Sequence, residues 1–68
     1  MLINKVKEFR SSMNLNQQQL GEIVGASRQT ISSIERGDYS PSIVLALKIA
    51  HVFQVPVEEV FMIEEDEG

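Results

Sequence analysis

The amino-acid sequence predicts one small domain of the all-α class, formed by residues 1–68. Apolar residues recur at spacings of three and four along most of the chain, which places them on one face of a helix. Residues that begin and end helices, mainly Asn, Ser, Gly and Pro, separate these segments at short intervals. A chain of 68 residues also has room for only one small hydrophobic core. Together these observations predict five short helices.

Asparagine residues delimit the first two predicted helices. Asn14 is expected to end the first helix, and Asn16 is the predicted N-cap of the second. Gln19 stands three residues after Asn16 and completes a capping box, so the second helix should cover Gln17 to about Val24. The apolar face of the first helix consists of Leu2, Val6, Phe9 and Met13. The residues expected to be buried in the second helix are Leu20, Ile23 and Val24.

A glycine turn leads into the third predicted helix. Gly25 can adopt the left-handed conformation that ends a helix, and Ser27 is the predicted N-cap of a helix from Arg28 to about Arg36. Gly37 is expected to end this helix. The residues expected to face the core are Ile31 and Ile34.

Nearly every residue of the fourth predicted helix is apolar. The helix should run from about Pro41 to Phe53, and nine of the eleven residues from Ile43 onward are hydrophobic. One stripe is sufficient for the core: Ala46, Ile49, Ala50 and Phe53. The remaining apolar residues exceed what a small core needs. Either they too belong to the core or part of them contact another subunit, and the second interpretation is favoured here.

Residues 17–36 have the arrangement of a helix-turn-helix. A short turn allows two helices to cross steeply, and this crossing requires a small residue where the backbones approach, which Gly21 supplies. Burial of the isoleucines in the third helix leaves its polar residues facing outward: Ser27, Arg28, Gln29, Thr30, Ser32 and Ser33. Arginine pairs with the major-groove edge of guanine and glutamine with that of adenine, so this surface is suited to DNA.

One stretch of the chain resembles the helix-turn-helix of the XRE, or Cro/CI, family of bacterial and phage regulators: QQQLGEIVGASRQTISSIERGDYSPS. The segment that follows is also similar to this family, LALKIAHVFQVPVEEVF, so the resemblance extends over nearly the whole chain. It implies a five-helix, lambda-repressor-like domain that binds double-stranded DNA through a helix-turn-helix at about 17–36.

The resemblance also assigns roles to individual residues. Gln17 is implied to bind phosphate at the start of the second helix, where the helix dipole favours an anion. The other implied DNA-binding residues lie in the third helix and in the loop after it: Ser27, Arg28, Gln29, Ser33, Tyr39 and Ser40. Thr30 is added as a DNA-binding residue because it faces outward on the same helix. Arg10 and Glu35 are implied to form an ion pair between helices. Two residues depart from the family pattern, since Gly21 stands where alanine is usual and Ser33 where lysine is frequent.

Both ends of the chain contain apolar triplets, Met1-Leu2-Ile3 and Phe61-Met62-Ile63. The shortest dimeric members of the family pair such ends as a two-stranded antiparallel ribbon, and the resemblance implies the same ribbon here. A very short fifth helix should precede the second triplet, because Pro56 and the acidic residues after it favour a helix start. The expected dimer interface comprises Val44, Leu45, Val52 and Phe61.

Acidic residues are concentrated at the end of the chain. The net charge is −4, but residues 58–68 contain six acidic residues and no basic ones. Residues 1–57 contain six basic and four acidic residues and therefore have a charge of +2. This asymmetry permits a mildly basic surface away from the acidic tail at residues 64–68.

The composition argues against several classes of function. With no cysteine and a single histidine, His51, the chain has no set of thiolate or imidazole ligands for a metal. No nucleophile–base pair or phosphate loop indicates an enzyme, and no motif indicates a cofactor or a small-molecule ligand. No apolar run approaches the roughly 20 residues that span a bilayer. Because the start of the chain also lacks a signal-peptide core, a cytoplasmic protein without membrane contact is expected.

These expectations combine into a homodimeric transcriptional regulator, a repressor that occludes a promoter by binding an inverted repeat. Two alternatives stay open. In one, the fold binds another polypeptide through the apolar fourth helix, as an antitoxin or phage-type partner protein would. In the other, the domain is an interaction module that has lost DNA binding. Arg28 and Gln29 argue against the second alternative, because a module that does not bind DNA does not need them.

Overall fold

A computed structural model describes residues 1–65 and contains five helices and a two-stranded ribbon. Along the chain these are β1 (Leu2–Asn4), α1 (Val6–Ser12), α2 (Gln17–Val24), α3 (Arg28–Arg36), α4 (Ile43–Phe53), α5 (Val57–Val60) and β2 (Phe61–Ile63). The five-helix architecture and the ribbon between the termini are therefore confirmed. Of the predicted acidic tail, 64–68, the last three residues lie outside the described part of the chain.

Side-chain caps begin α2 and α3 where the sequence indicates them. The Asn16 side chain accepts a hydrogen bond from the Gln19 amide at 2.7 Å, and the Gln19 side chain accepts one from the Asn16 amide at 2.8 Å. Ser27 caps α3 by accepting from the Thr30 amide at 3.0 Å. These bonds satisfy amide groups that have no partner inside the helix, and they fix where each helix begins.

The first predicted helix is shorter than its apolar spacing suggests, because Leu2 belongs to β1. Leu2 pairs with Ile63 in an antiparallel register that continues to Asn4 and Phe61. The Asn4 side chain accepts a hydrogen bond from the Val6 amide at 3.1 Å and donates one to the Ile34 carbonyl at 2.9 Å. The ribbon is thereby connected to both the start of α1 and the end of α3.

Two further expectations from the sequence are wrong in detail. Ile23 is 58% exposed, because the buried face of α2 is formed by Leu20, Gly21 and Val24 and the neighbouring helices leave the Ile23 side open. Pro41 does not lie in the first turn of α4. The helix begins later because Ser42 is its N-cap and accepts a hydrogen bond from the Leu45 amide at 3.1 Å.

The core lies where all five helices meet. Its fully buried residues are Val6, Leu20, Ile31, Ile34, Ile49 and Val60. The Phe9 ring stacks on Phe53 with centroids 5.3 Å apart, which joins α1 to α4. Ile31 and Ile34 attach α3 to this core as predicted, so the opposite face of α3 is left outward.

The turn between α2 and α3 leaves no space for a side chain at position 21. A Cβ on Gly21 would overlap the carbonyl oxygen of Ala26, and the Ala26 amide donates to the Gly21 carbonyl at 2.8 Å. The alanine that the resemblance implies at this position would therefore not fit without movement of the backbone. This contact, rather than a need for flexibility, explains a glycine inside α2.

We expect Gly21→Ala to lower the free energy of unfolding by about 1 kcal/mol. Alanine gains about 0.8–1 kcal/mol in helix propensity, but overpacking against the turn costs about 1–3 kcal/mol. Urea denaturation followed by circular dichroism measures the difference. Glu22→Ala, at an exposed position of the same helix, is the matched control and should be neutral or slightly stabilising. A Gly21→Ala protein more stable than wild type would contradict the packing argument.

Candidate nucleic-acid interface

The outer face of α3 is polar and forms the centre of the candidate interface. Ser27, Arg28 and Gln29 are exposed at its start, while Thr30 and Ser33 are half-buried. Ile31 and Ile34, at most 1% exposed, hold the helix to the core from the opposite side. The packing of Ile31 and Ile34 in the core therefore fixes the position of α3. The polar side chains on its outer face are not needed for this and stay available to a ligand.

Several of the predicted DNA-binding residues border one shallow recess of about 380 Å³ beside α3. They are Ser27, Gln29, Thr30, Ser33 and Tyr39. At its α3 end the Ser27 and Thr30 hydroxyls are 2.9 Å apart and hydrogen-bonded to each other. The recess is open to solvent and is lined by hydroxyl and amide groups and by one carboxylate, that of Asp38, so it is suited to contact with a polar polymer.

Gln17 and Arg28 lie together at a second recess, which Arg10, Asn16 and Gln18 also line. It adjoins the start of α2, where free amide groups and the helix dipole favour an anion. In this structure the Gln17 side-chain amide donates to Glu35 at 3.1 Å and is half-buried. Ser40 is separate from both groups and borders a recess near β1.

Arg10 and Glu35 form the ion pair that the resemblance implies. Arg10 donates to the two carboxylate oxygens of Glu35 at 2.7 and 3.1 Å, and to the Leu15 carbonyl at 2.9 Å. Their side chains are only 12% and 6% exposed. The hydrogen bond to Glu35 raises the pKa of Arg10, against the opposing effect of burial. Arg10 therefore ties α1 to α3 and is not a free cation at the interface.

Sequence reasoning missed two charged residues at the interface, Arg36 and Asp38. The Arg36 guanidinium donates to the Asp38 carboxylate at 3.0 Å and also contacts the hydroxyls of Ser32 and Ser33. Asp38 borders the same recess as Gln29 and Tyr39. The signal in the sequence was a pair of opposite charges on either side of Gly37, the residue that ends α3.

Within residues 1–65 no group of three or more His, Cys, Asp or Glu side chains is placed to hold a metal ion. Among the helices described, none has the length and apolar character needed to cross a membrane.

Both the sequence and the fold are similar to those of known helix-turn-helix proteins. The helix-turn-helix family model matches residues 6–60. The chain is 52% identical over 63 residues to the uncharacterised HTH-type transcriptional regulator YgzD of Bacillus subtilis, covering 93% of this chain and 96% of that protein. It is 50% identical over 64 residues to MJ0272, another uncharacterised HTH-type transcriptional regulator, from Methanocaldococcus jannaschii, covering 94% of this chain and 97% of that protein. Among solved structures, the P22 c2 repressor in complex with a synthetic operator is similar with a TM-score of 0.75 and 26% identity, covering 78% of this chain and 80% of that one.

Proposed function

This chain belongs to the helix-turn-helix family of Cro/CI-type transcriptional regulators, and on that premise we propose that it is a homodimeric repressor that binds an inverted repeat in double-stranded DNA. The observation that carries the proposal is the outer face of α3. Arg28 and Gln29 are exposed there on a helix that Ile31 and Ile34 fix to the core. The P22 c2 repressor, whose fold is similar, is bound to an operator.

Base contacts are assigned to the first turns of α3. Arg28 would donate two hydrogen bonds to guanine O6 and N7, and Gln29 would pair with adenine N6 and N7. Both side chains are exposed, and neither has to break a hydrogen bond with another described residue before it contacts a base. Ser27, Thr30 and Ser33 flank them and would contact bases or the adjacent phosphates.

Phosphate contacts are assigned on both sides of α3. Gln17 would contact a phosphate at the start of α2, after exchanging its hydrogen bond with Glu35 for one with the anion. Tyr39 and Ser40, both exposed in the loop after α3, would contact the sugar–phosphate backbone further along the groove. These contacts fix the orientation of α3 without selecting a sequence.

Dimerisation is assigned to the outer face of α4. Val44 is 57% exposed, and the neighbouring Leu47 is 51% exposed on the same side of the helix. Leu45, Val52 and Phe61 are half-buried and pack against the core. Only the exposed parts of these side chains would therefore contact the second subunit. A dimer through this face would present two α3 helices to half-sites one helical turn, about 34 Å, apart. Binding there would repress by occluding the promoter.

We expect Val44→Glu to convert the dimer to a monomer at micromolar concentration, because a carboxylate would be buried in an apolar contact without a partner. Sedimentation velocity measures the change. Met13→Glu, which places the same charge on an exposed apolar residue at the end of α1, is the matched control and should leave the dimer intact. Leu45 and Val52 are unsuitable for this test since both pack against the core.

A monomeric wild-type protein, or a dimer that survives Val44→Glu, would contradict the assigned interface. In the first case the exposed α4 face would favour the alternative in which another polypeptide binds this domain. That face forms a recess of about 540 Å³ with Ile23, Leu47 and His51 among its lining residues.

Selection from random duplexes tests the proposed function as a whole. The protein should enrich an inverted repeat whose half-sites are separated by one helical turn. Its affinity should also fall steeply as salt rises, because phosphate contacts release counterions. Enrichment of no motif at low salt would overturn the proposal.

A further inference from the structure

An acidic side chain stands among the residues proposed to bind DNA. Asp38 borders the recess beside α3 together with Gln29 and Ser33. Its carboxylate accepts a hydrogen bond from Arg36 at 3.0 Å, and the two side chains are 63% and 58% exposed. A carboxylate at this place opposes the approach of a phosphate, so its presence in the candidate interface needs a physical reason.

Arg36 is the second of only two basic residues in α3, and the pair with Asp38 occupies it. Arg28 begins the helix and Arg36 ends it. The Arg36 guanidinium is directed to the Asp38 carboxylate and to the hydroxyls of Ser32 and Ser33. In the free protein the charge that could neutralise a phosphate at this end of α3 is therefore already neutralised within the chain.

We propose that Asp38 limits the affinity of this protein for DNA by holding Arg36, and that a DNA phosphate displaces the Asp38 carboxylate from Arg36 when the protein binds. The proposal rests on the proposed DNA binding and adds a phosphate-binding role for Arg36. The exchange is chemically matched, because a guanidinium donates charge-assisted hydrogen bonds to a phosphate as it does to a carboxylate. Only one such bond, from Arg36 to Asp38, has to be replaced. An exposed ion pair also contributes little net stability in water, so a phosphate can replace it.

Backbone hydrogen bonds keep Asp38 at this position after Arg36 has left. The Asp38 amide donates to the Ser33 carbonyl at 2.9 Å, and the Gly37 amide donates to the Ile34 carbonyl at 3.0 Å. Gly37 has a φ of 82°, which only glycine adopts readily, and it sets the direction of the chain here. The carboxylate then remains beside the bound phosphate. Asp38 thus opposes binding twice, by competing for Arg36 and by repelling the phosphate.

The test is the affinity of Asp38→Asn for duplex DNA, measured by fluorescence anisotropy over a range of salt concentrations. We expect Asp38→Asn to bind about 3- to 5-fold tighter than wild type. This factor corresponds to the repulsion energy in water between two unit charges near contact distance. Arg36 contacts the phosphate in both complexes, so the slope of log Kd against log salt should change by less than about 0.9, the contribution of one whole phosphate contact. Glu58→Gln, which removes the same charge from an exposed position on α5, should change the affinity less than 2-fold.

A double-mutant cycle separates the two effects of Asp38. If Asp38 acts partly by holding Arg36, the gain from Asp38→Asn must be smaller in an Arg36→Gln background. An equal gain in both backgrounds would mean that Asp38 acts by repulsion alone and would overturn the role of Arg36. No gain from Asp38→Asn, or an equal gain from Glu58→Gln, would overturn the whole inference.

The affinities of wild type and Asp38→Asn for duplex DNA test the proposed function and the role of Asp38 separately. If the wild-type protein bound no duplex even at low salt, the proposed function itself would be wrong. If wild type bound DNA and Asp38→Asn bound it equally well, only the role of Asp38 would be lost. Urea denaturation should give the same midpoint for both proteins, because Arg36 and Asp38 are exposed and their pair adds little to stability.

Discussion

Replacing Arg28 and Gln29 together by alanine is expected to weaken binding to the selected operator by about 100-fold or more. Each bidentate pairing with a base contributes about 1–3 kcal/mol of discrimination, and about 1.4 kcal/mol corresponds to tenfold in affinity. Both side chains are exposed, so the fold and its stability should not change. Anisotropy titrations with the operator and with random duplex measure the loss, which should be much larger for the operator.

Lys7→Ala is the matched control for charge, since Lys7 is an exposed cation on α1 outside the candidate interface. Its effect on operator affinity should be small. If the Arg28 and Gln29 double variant lost no more affinity than Lys7→Ala, these residues would not contact bases. That result would favour the alternative of an interaction module that has lost DNA binding.

Arg10→Met should lower the free energy of unfolding by about 3 kcal/mol or more, because it leaves the nearly buried Glu35 carboxylate without its cation. Such a loss is a large part of the total stability of a small domain. The variant would also remove the donor to the Leu15 carbonyl. Urea denaturation at fixed protein concentration, followed by circular dichroism, measures the change.

The double variant Arg10→Met, Glu35→Met separates loss of packing from an unpaired charge. Replacing both members of a buried pair by apolar residues is often neutral, so this protein should recover part of the lost stability. A double variant as unstable as Arg10→Met alone would show that the unpaired carboxylate is not the cause. The raised pKa of Arg10 means that its contribution persists below its ordinary pKa and is lost only in strong alkali. The Arg10 charge therefore adds no pH dependence near neutrality.

Local signals made most of the fold predictable from the sequence. Asn16, Ser27 and Gly25 act on backbone groups within three or four residues, so the boundaries of α2 and the start of α3 follow from them directly. Leu2 was expected both in the first helix and in the ribbon, and only the ribbon is correct. Ile23 was wrongly expected to be buried, because its environment is set by the packing of other helices. Leu2 pairs with Ile63, 61 positions away, and nothing in the apolar spacing distinguishes that strand from a first helical turn.

The candidate site was predictable where it is continuous in sequence. The outward residues of α3 follow from the burial of Ile31 and Ile34, since the helical period then fixes the opposite face. The opposite charges of Arg36 and Asp38 are visible in the sequence on either side of Gly37. Their contact is not, because it depends on how Gly37 directs the chain and on side-chain orientation. The hydrogen bond from Gln17 to Glu35 was also missed, because it depends on the orientation of two side chains on different helices.

The most direct test of the central claim is a nuclear magnetic resonance titration of the ¹⁵N-labelled protein with its selected operator. The outer face of α3 should lie in the major groove, so the largest changes should occur at the amides from Ser27 to Ser33 and at the Arg28 and Gln29 side chains. Smaller changes should extend to Gln17 and Tyr39 at the flanking backbone. If the largest changes fell instead on α4 or α5 while α3 stayed unperturbed, α3 would not be the element that contacts DNA.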